Sequence, residues 1–160
     1  MDADDKHTLL DPTDMSQWFW DTIDYARENP SELHTILNDT SDAQLRQFAL
    51  EFYDAASRLQ AEPFTDYIAP GTSEDGIEHI SWRVVSKGKE FYSNVWFHPE
   101  TMPQSMKAID SPSFYAVAQD ILDKRLGEWP DVWEEFEDYL SSSYHRVSDY
   151  LAAKGENNNS

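Results

Sequence analysis

Apolar side chains recur three or four residues apart through most of the chain, which is the spacing of one face of an α-helix. The pattern is clearest over residues 41–62, SDAQLRQFALEFYDAASRLQAE. Ser41 and Gln44 have the spacing of a capping box, in which two side chains bond backbone amides at the helix start. We therefore predict a long helix that starts after Ser41, stops before Pro63 and buries one stripe: Leu45, Phe48, Phe52, Ala55 and Leu59.

The same spacing predicts two shorter helices on the N-terminal side. The first is capped by Asp14 or Ser16 and ends before Pro30, because the residue before a proline is pushed out of the helical region. The second begins at Ser31 and runs through SELHTILND. A third helix is predicted in the C-terminal half, with Ser111 as its cap and Gly127 after its end, and residues 130–155 form the last helical pattern.

Residues 73–100, SEDGIEHISWRVVSKGKEFYSNVWFHPE, fit two kinds of structure. Ile77, Ile80 and Val84 fall at helical spacing, whereas Ile80, Trp82 and Val84 also alternate as in a strand. Two neighbouring valines favour the strand, and the acidic residues before Ile77 favour the start of a helix. The local pattern therefore favours a helix over residues 77–87 and leaves the strand open.

The two ends of this helix have their own signals. Thr72 and Asp75 are three residues apart, as in a capping box. Gly88 suits the position just after a helix, where the backbone becomes left-handed. A further helix is predicted from Lys89, and it ends where His98 precedes Pro99.

Composition changes this picture little. The 160 residues are 39% hydrophobic and 14% aromatic, which favours a packed core, and only 5 are glycine, which disfavours a turn-rich β architecture. Without cysteine, disulfides and thiolate chemistry are excluded. We predict an all-α fold: a single compact helical domain of about six to seven helices over residues 14–153, between a flexible acidic leader (1–13) and a polar tail (154–160).

The ends and the apolar runs bear on location. The acidic start MDADDKHTLLDPTD has no apolar core of the kind that a secretory signal needs. The apolar runs are far shorter than the roughly 20 residues that span a bilayer. The expected location is therefore the cytoplasm, and no motif calls for a cofactor.

Charge is the one extreme property of the sequence. With 31 acidic residues against 12 Lys and Arg, the formal net charge is −19. Direct binding to nucleic acid or to an anionic membrane is therefore disfavoured, because both depend on clustered cations. Such a surface suits a basic protein partner, including one that normally binds nucleic acid. The other interpretation is that the charge only maintains solubility or reflects adaptation to salt.

Two segments carry a family resemblance. WFWDTIDYAR in the first helix and SEDGIEHISWRVVSKGKEFYSNVWFHPETM further on resemble the bacterial family described as domain of unknown function 4240. The shared features are the paired aromatic residues of the first helix, an acid-acid-glycine entry, a central tryptophan and a glycine break. Two isoleucines replace aromatic residues of the family pattern. Over residues 18–103 the resemblance implies an all-helical domain, and it implies no activity.

One cluster of residues suggests chemistry. Asp75 and His79 are four residues apart and would share a helix face, with Arg83 one turn further on. A carboxylate and an imidazole so placed could bind a metal or act as acid and base, but metal sites usually need three or four ligands. An enzyme or metal-dependent protein built on this face is the alternative hypothesis.

The preferred hypothesis is a non-enzymatic protein-interaction module, such as an immunity-type or regulatory binder of a basic partner. The segment EWPDVWEEFEDYL places large aromatic residues on one stripe and acids opposite. Mostly such a helix has a core side and a solvated side, but acids and aromatics also steer and anchor partners. The sequence sets neither the partner nor the oligomeric state. The candidate partner surface comprises Glu134, Glu135, Glu137, Asp138, Glu78, His79 and Arg83.

Overall fold

The helices of the described part of the chain are all α or 3-10. The computed structural model describes residues 15–109 and 112–127, and within these ranges it contains no strand. Short 3-10 turns lie at Phe64–Tyr67, Pro99–Thr101 and Met106–Ala108. The all-α prediction is confirmed. The α-helices, in order, are α1 (Gln17–Ala26), α2 (Pro30–Asn38), α3 (Asp42–Arg58), α4 (Glu74–Ser86), α5 (Lys89–Phe97) and α6 (Val117–Leu126).

The first two helices are capped by short polar side chains. Ser16 accepts a hydrogen bond from the Phe19 amide and starts α1, as one of the two predicted caps. Arg27 adopts a left-handed conformation (φ 51°) and ends α1 before Pro30 is reached. The Asn29 side chain caps α2, and Pro30 is its first residue, where a proline loses no helical hydrogen bond. The helix thus begins one residue before the predicted start.

The prediction for α3 is confirmed in detail. Ser41 and Gln44 form both bonds of the capping box. The side chains of the predicted stripe are all buried, and they form the middle of the core together with partners from the other helices. The local sequence pattern is enough to predict this helix, because the capping box and the apolar spacing both indicate a helix that starts after Ser41. The buried stripe residues are Leu45, Phe48, Phe52, Ala55 and Leu59.

The predicted start of α6 is wrong. Ser111 lies outside the described residues, and the helix begins at Val117 rather than at Pro112. Phe114 is buried, and its amide donates to the Ser86 hydroxyl at 2.9 Å, which ties this segment to the end of α4. Ala116 then turns the chain with a positive φ of 69°. Tertiary contacts outweigh the local helix signal.

Helix α3 is the centre of the packing. It lies against α4 on one side and α6 on the other, while α2 contacts both α1 and α6. Aromatic rings fill the space between α1 and its neighbours: Phe19 and Phe48 have ring centroids 5.0 Å apart, and Trp20 and Tyr92 5.3 Å. The buried apolar side chains of the described residues form one cluster.

A buried ion pair lies within α3. Arg58 Nε donates to Asp54 Oδ1 and Arg58 Nη2 to Asp54 Oδ2, both at 2.9 Å. The two side chains are 4% and 0% exposed. Two parallel bonds fix the guanidinium in one orientation, and charges so deeply buried are tolerated only when paired.

Three predicted segments lie outside the described residues. They are the acidic leader, the polar tail and the final helical pattern over residues 130–155. In the described part of the chain, no helix is both long and apolar enough to cross a membrane.

Candidate functional site

Helix α4 forms one wall of the candidate site. Ser73 caps it by accepting from the Gly76 amide, so the cap is Ser73 rather than the predicted Thr72. Its inner face buries Ile80, Val84 and Val85, which settles the helix over the strand. Its outer face is polar and begins with acids in the first turn, where the helix dipole favours negative charge.

A hollow of about 180 Å³ lies beside this outer face. We call it the aromatic hollow. Its wall is fixed by stacking, because the rings of Trp82 and Tyr115 lie 3.7 Å apart and nearly parallel, at 7°. Gln60 donates to the Ser81 hydroxyl at 2.9 Å, which ties the end of α3 to α4. The described residues that line the hollow are Tyr53, Gln60, Glu78, Trp82 and Tyr115.

The electrostatic environment of the hollow favours positive charge. The pKa of Tyr115 is raised above its ordinary value, first by partial burial and then by Tyr53, Glu78 and Asp120. Each of these neighbours opposes a further negative charge on the phenol. The charged groups that act on Tyr115 therefore favour a cation in the hollow and disfavour an anion.

The predicted partner-surface residues of α4 separate in the structure. Glu78 lines the aromatic hollow and is half-buried. His79 is exposed and lies edge-on to Trp82, with ring centroids 4.8 Å apart. Glu78 therefore lies on the wall of the hollow, and His79 contacts one of the residues that line it.

Arg83, the third predicted surface residue of α4, binds the backbone of a neighbouring turn. Its Nη1 donates to the Met106 carbonyl at 3.2 Å and to the Ile109 carbonyl at 3.3 Å. The guanidinium thus holds the 3-10 turn Met106–Ala108 against α4.

Other candidate groups can be placed only in part. Within residues 15–109 and 112–127, no group of three or more His, Asp or Glu side chains is arranged to hold a metal ion. Asp75 is exposed in the first turn of α4. The acidic residues predicted for the last helix all lie outside the described residues: Glu134, Glu135, Glu137 and Asp138.

Sequence reasoning missed three residues of the aromatic hollow. Tyr53 lies beside the buried stripe of α3, Gln60 follows the last turn of that helix, and Tyr115 precedes α6. Only Tyr53 carried a usable signal, since it is a large aromatic residue off the apolar stripe. The sequence predicts that Tyr115 lies in a helix, and no residue near it along the chain indicates a stack with Trp82.

A second polar contact lies where α4 meets α5. Gly88 joins the two helices with φ 107° and ψ 176°, a conformation open essentially to glycine. The Asp24 carboxylate of α1 lies against Gly88, near the Lys89 amide at the start of α5, and this amide lowers the pKa of the carboxylate. Although much of Asp24 is exposed, burial of its carboxylate raises its pKa, and Asp21 and Glu90 raise it further.

This raised pKa predicts a pH dependence for the variant Asp24→Asn. Because its pKa is raised, Asp24 binds its proton more tightly in the folded state than in the unfolded state. Protonation of Asp24 therefore stabilises the fold below the ordinary pKa of 3.8. This contribution to the free energy of unfolding is lost as pH rises through the raised pKa. Asparagine keeps the shape of the side chain without the charge. We expect the variant to gain on the wild type across this window by less than about 1 kcal/mol, because solvent screens much of the effect at an exposed side chain.

Urea denaturation of both proteins between pH 3 and pH 7 measures this difference. The prediction is wrong if the difference in unfolding free energy stays constant over the range, or if the variant loses stability relative to the wild type as pH rises.

Comparison with known proteins adds no relative. No protein-family model, curated protein or solved structure matches the chain. The functional argument therefore depends on the residues and geometry of the site itself.

Proposed function

We propose that the chain is a non-enzymatic protein-interaction module that binds a basic protein partner through the outer face of α4. The observation that carries this proposal is the position of the acidic surplus. Of the acidic residues in the described part of the chain, only Glu51 and Asp54 are buried. The others lie at the surface, where they act on an approaching partner rather than on the core.

The two buried acids both have structural partners. Glu51 accepts from the Ser16 amide at 2.7 Å and from the Ser16 hydroxyl at 2.9 Å, which ties α3 to the start of α1. Asp54 pairs with Arg58. Because neither of these two side chains faces solvent, nearly all the excess negative charge of the described residues lies at the surface.

The outer face of α4 is the proposed contact because it combines charge with anchoring groups. Its first turn carries Glu74 and Asp75, and Glu78 follows one turn later beside the aromatic hollow. Interfaces are typically anchored by aromatic residues in pockets, while charges around them steer the encounter. An immunity-type or regulatory role follows from this proposal if the basic partner is a toxin or another basic effector. We also propose, as a separate point, that the chain is related to the domain of unknown function 4240 family, which it resembles over residues 18–103.

Charge neutralisation on two surfaces tests the proposal. The partner is captured from cells that make the protein natively, identified, purified and titrated by calorimetry against two triple variants. We expect Glu74→Gln/Asp75→Asn/Glu78→Gln to weaken binding about 10-fold or more and to reduce its dependence on salt, since lost charges lower electrostatic attraction. The matched control Glu62→Gln/Asp66→Asn/Glu100→Gln removes the same three charges from other elements and should weaken binding less than about 3-fold.

Equal losses in both variants would show that only total charge matters and would contradict a surface on α4. Recovery of no basic partner, or of one whose affinity ignores both variants, would contradict the proposal itself. Thermal unfolding of each variant checks that the helices remain folded.

A further inference from the structure

We propose that the aromatic hollow binds the primary ammonium group of a single lysine side chain. This inference rests on the proposed function, since the lysine would belong to the basic protein partner. It names the chemical group that the site takes, and its first support is the shape of the hollow.

The hollow has room for such a group and is already formed. Its volume of about 180 Å³ is more than ten times the roughly 10–15 Å³ that a single water needs. The stack of Trp82 on Tyr115 and the bond from Gln60 to Ser81 hold its walls. A preformed site lowers the entropic cost of binding, because few side chains have to be ordered.

The lining offers mainly hydrogen-bond acceptors. Glu78 contributes a carboxylate, Tyr53 and Tyr115 contribute phenolic oxygens, and Gln60 contributes an amide. A lysine ammonium has three donors and no acceptor, so it matches the Glu78 carboxylate, the Tyr115 phenol and the Gln60 amide oxygen in number and in charge. A guanidinium is planar, and it binds best where both oxygens of a carboxylate can accept two parallel hydrogen bonds from it.

The aromatic rings favour a primary over a methylated ammonium. Methylated lysines are held by open ring faces that surround the cation. Here Trp82 has one face stacked on Tyr115, and His79 also lies against its ring. With its rings engaged in this way, the hollow would recognise its ligand through oxygen atoms, and each methyl group on the ammonium would remove a donor.

The charges that face the hollow agree with this assignment. Glu78 and Asp120 both act on the Tyr115 phenol in the sense that opposes further negative charge. The Arg83 guanidinium on the same helix is directed to the carbonyls of Met106 and Ile109. A cation entering the hollow therefore meets the Glu78 carboxylate on its wall, with the charge of Asp120 acting on Tyr115 from nearby.

A titration of the full chain with a lysine probe tests the assignment. The probe is Nα-acetyl-lysine methylamide, followed by NMR through the Trp82 indole and the ring signals of Tyr115. We expect saturable shifts of these signals with a dissociation constant on the order of 1–10 mM. The Nε-acetyl form of the probe, which lacks the charge, and the Nε-trimethyl form, which lacks the donors, should each bind at least about 10-fold more weakly.

Variants of similar charge separate the hollow from the general acidity of the chain. Glu78→Gln should weaken the lysine probe about 10-fold or more, while Glu74→Gln removes the same charge from the exposed first turn and should change the affinity less than 2-fold. Tyr115→Phe keeps the stack and removes one acceptor, so it should weaken the probe about 3- to 10-fold.

Three results would overturn the assignment: no shift of Trp82 and Tyr115 up to 100 mM probe, equal losses for Glu78→Gln and Glu74→Gln, or equal or tighter binding of the trimethyl probe. The outcome is distinct from that of the proposed function. If the partner binds through α4 but the probe does not enter the hollow, only the lysine assignment fails. If the probe binds as expected but no basic partner depends on α4, the proposed function fails instead.

Discussion

Replacing Asp54 with alanine is expected to lower the free energy of unfolding by about 3–5 kcal/mol, the largest effect of any change considered for this protein. The Asp54 and Arg58 side chains are almost fully buried and joined by two bonds of 2.9 Å. Removing the carboxylate takes two charge-assisted hydrogen bonds from a buried guanidinium that cannot lose its charge. Denaturation by urea, with the transition followed by circular dichroism, measures the loss.

An exposed ion pair of the same length is the matched control. Lys87 Nζ lies 2.9 Å from Glu28 Oε1, but the two side chains are 29% and 44% exposed. Glu28→Ala should therefore cost only about 0–1 kcal/mol. Equal costs for Asp54→Ala and Glu28→Ala would contradict the argument from burial. The double variant Asp54→Leu/Arg58→Met, which removes both charges and keeps apolar volume, should recover most of the loss.

Gly88→Ala is expected to lower the free energy of unfolding by about 2–4 kcal/mol. The backbone conformation at Gly88 alone costs a residue with a Cβ about 1–3 kcal/mol. A Cβ would also overlap Oδ1 of Asp24, so the carboxylate must move from its place beside Gly88 and the Lys89 amide. This displacement adds about 1 kcal/mol. Thermal and urea denaturation measure the sum.

Two further variants separate the two causes at Gly88. Gly71 has a positive φ of 83°, and a Cβ added there would meet nothing within 4 Å, so Gly71→Ala should cost only about 1–2 kcal/mol from the backbone. In the double variant Asp24→Ala/Gly88→Ala the overlap is gone, and its cost should be smaller than the sum of the single costs. Additive costs, or a Gly71→Ala as harmful as Gly88→Ala, would contradict the overlap.

The parts of the fold that the sequence predicts are those whose signals are local. The cap and stripe of α3 lie within one helix, and the structure confirms both. For α4, the strand alternative rested on Ile80, Trp82 and Val84, of which Ile80 and Val84 are fully buried on the helix's inner face and Trp82 lies to its side. Alternation of this kind also arises when a helix has a broad apolar face, so the acids at its start were the better guide.

The parts that sequence reasoning misses depend on contacts between distant residues. The bond from the Phe114 amide to Ser86 spans 28 residues and delays the start of α6 to Val117. The same displaced segment brings Tyr115 onto Trp82 and so completes the aromatic hollow. Glu78 could be named from its place on a polar helix face, but its neighbours could not, because they come from α3 and from a segment expected to be helical.

The attachment of α6 has a consequence for how the protein is made. Arg125 donates to the carbonyls of Asn38 and Thr40, at 2.7 and 2.8 Å, at the turn between α2 and α3. A chain emerging from the ribosome therefore presents α2 and α3 some 85 residues before the helix that covers them exists. Contacts of such separation form late, and uncovered apolar surface favours association of unfinished chains. The helix that is made last among those described is thus the one that covers α2 and α3.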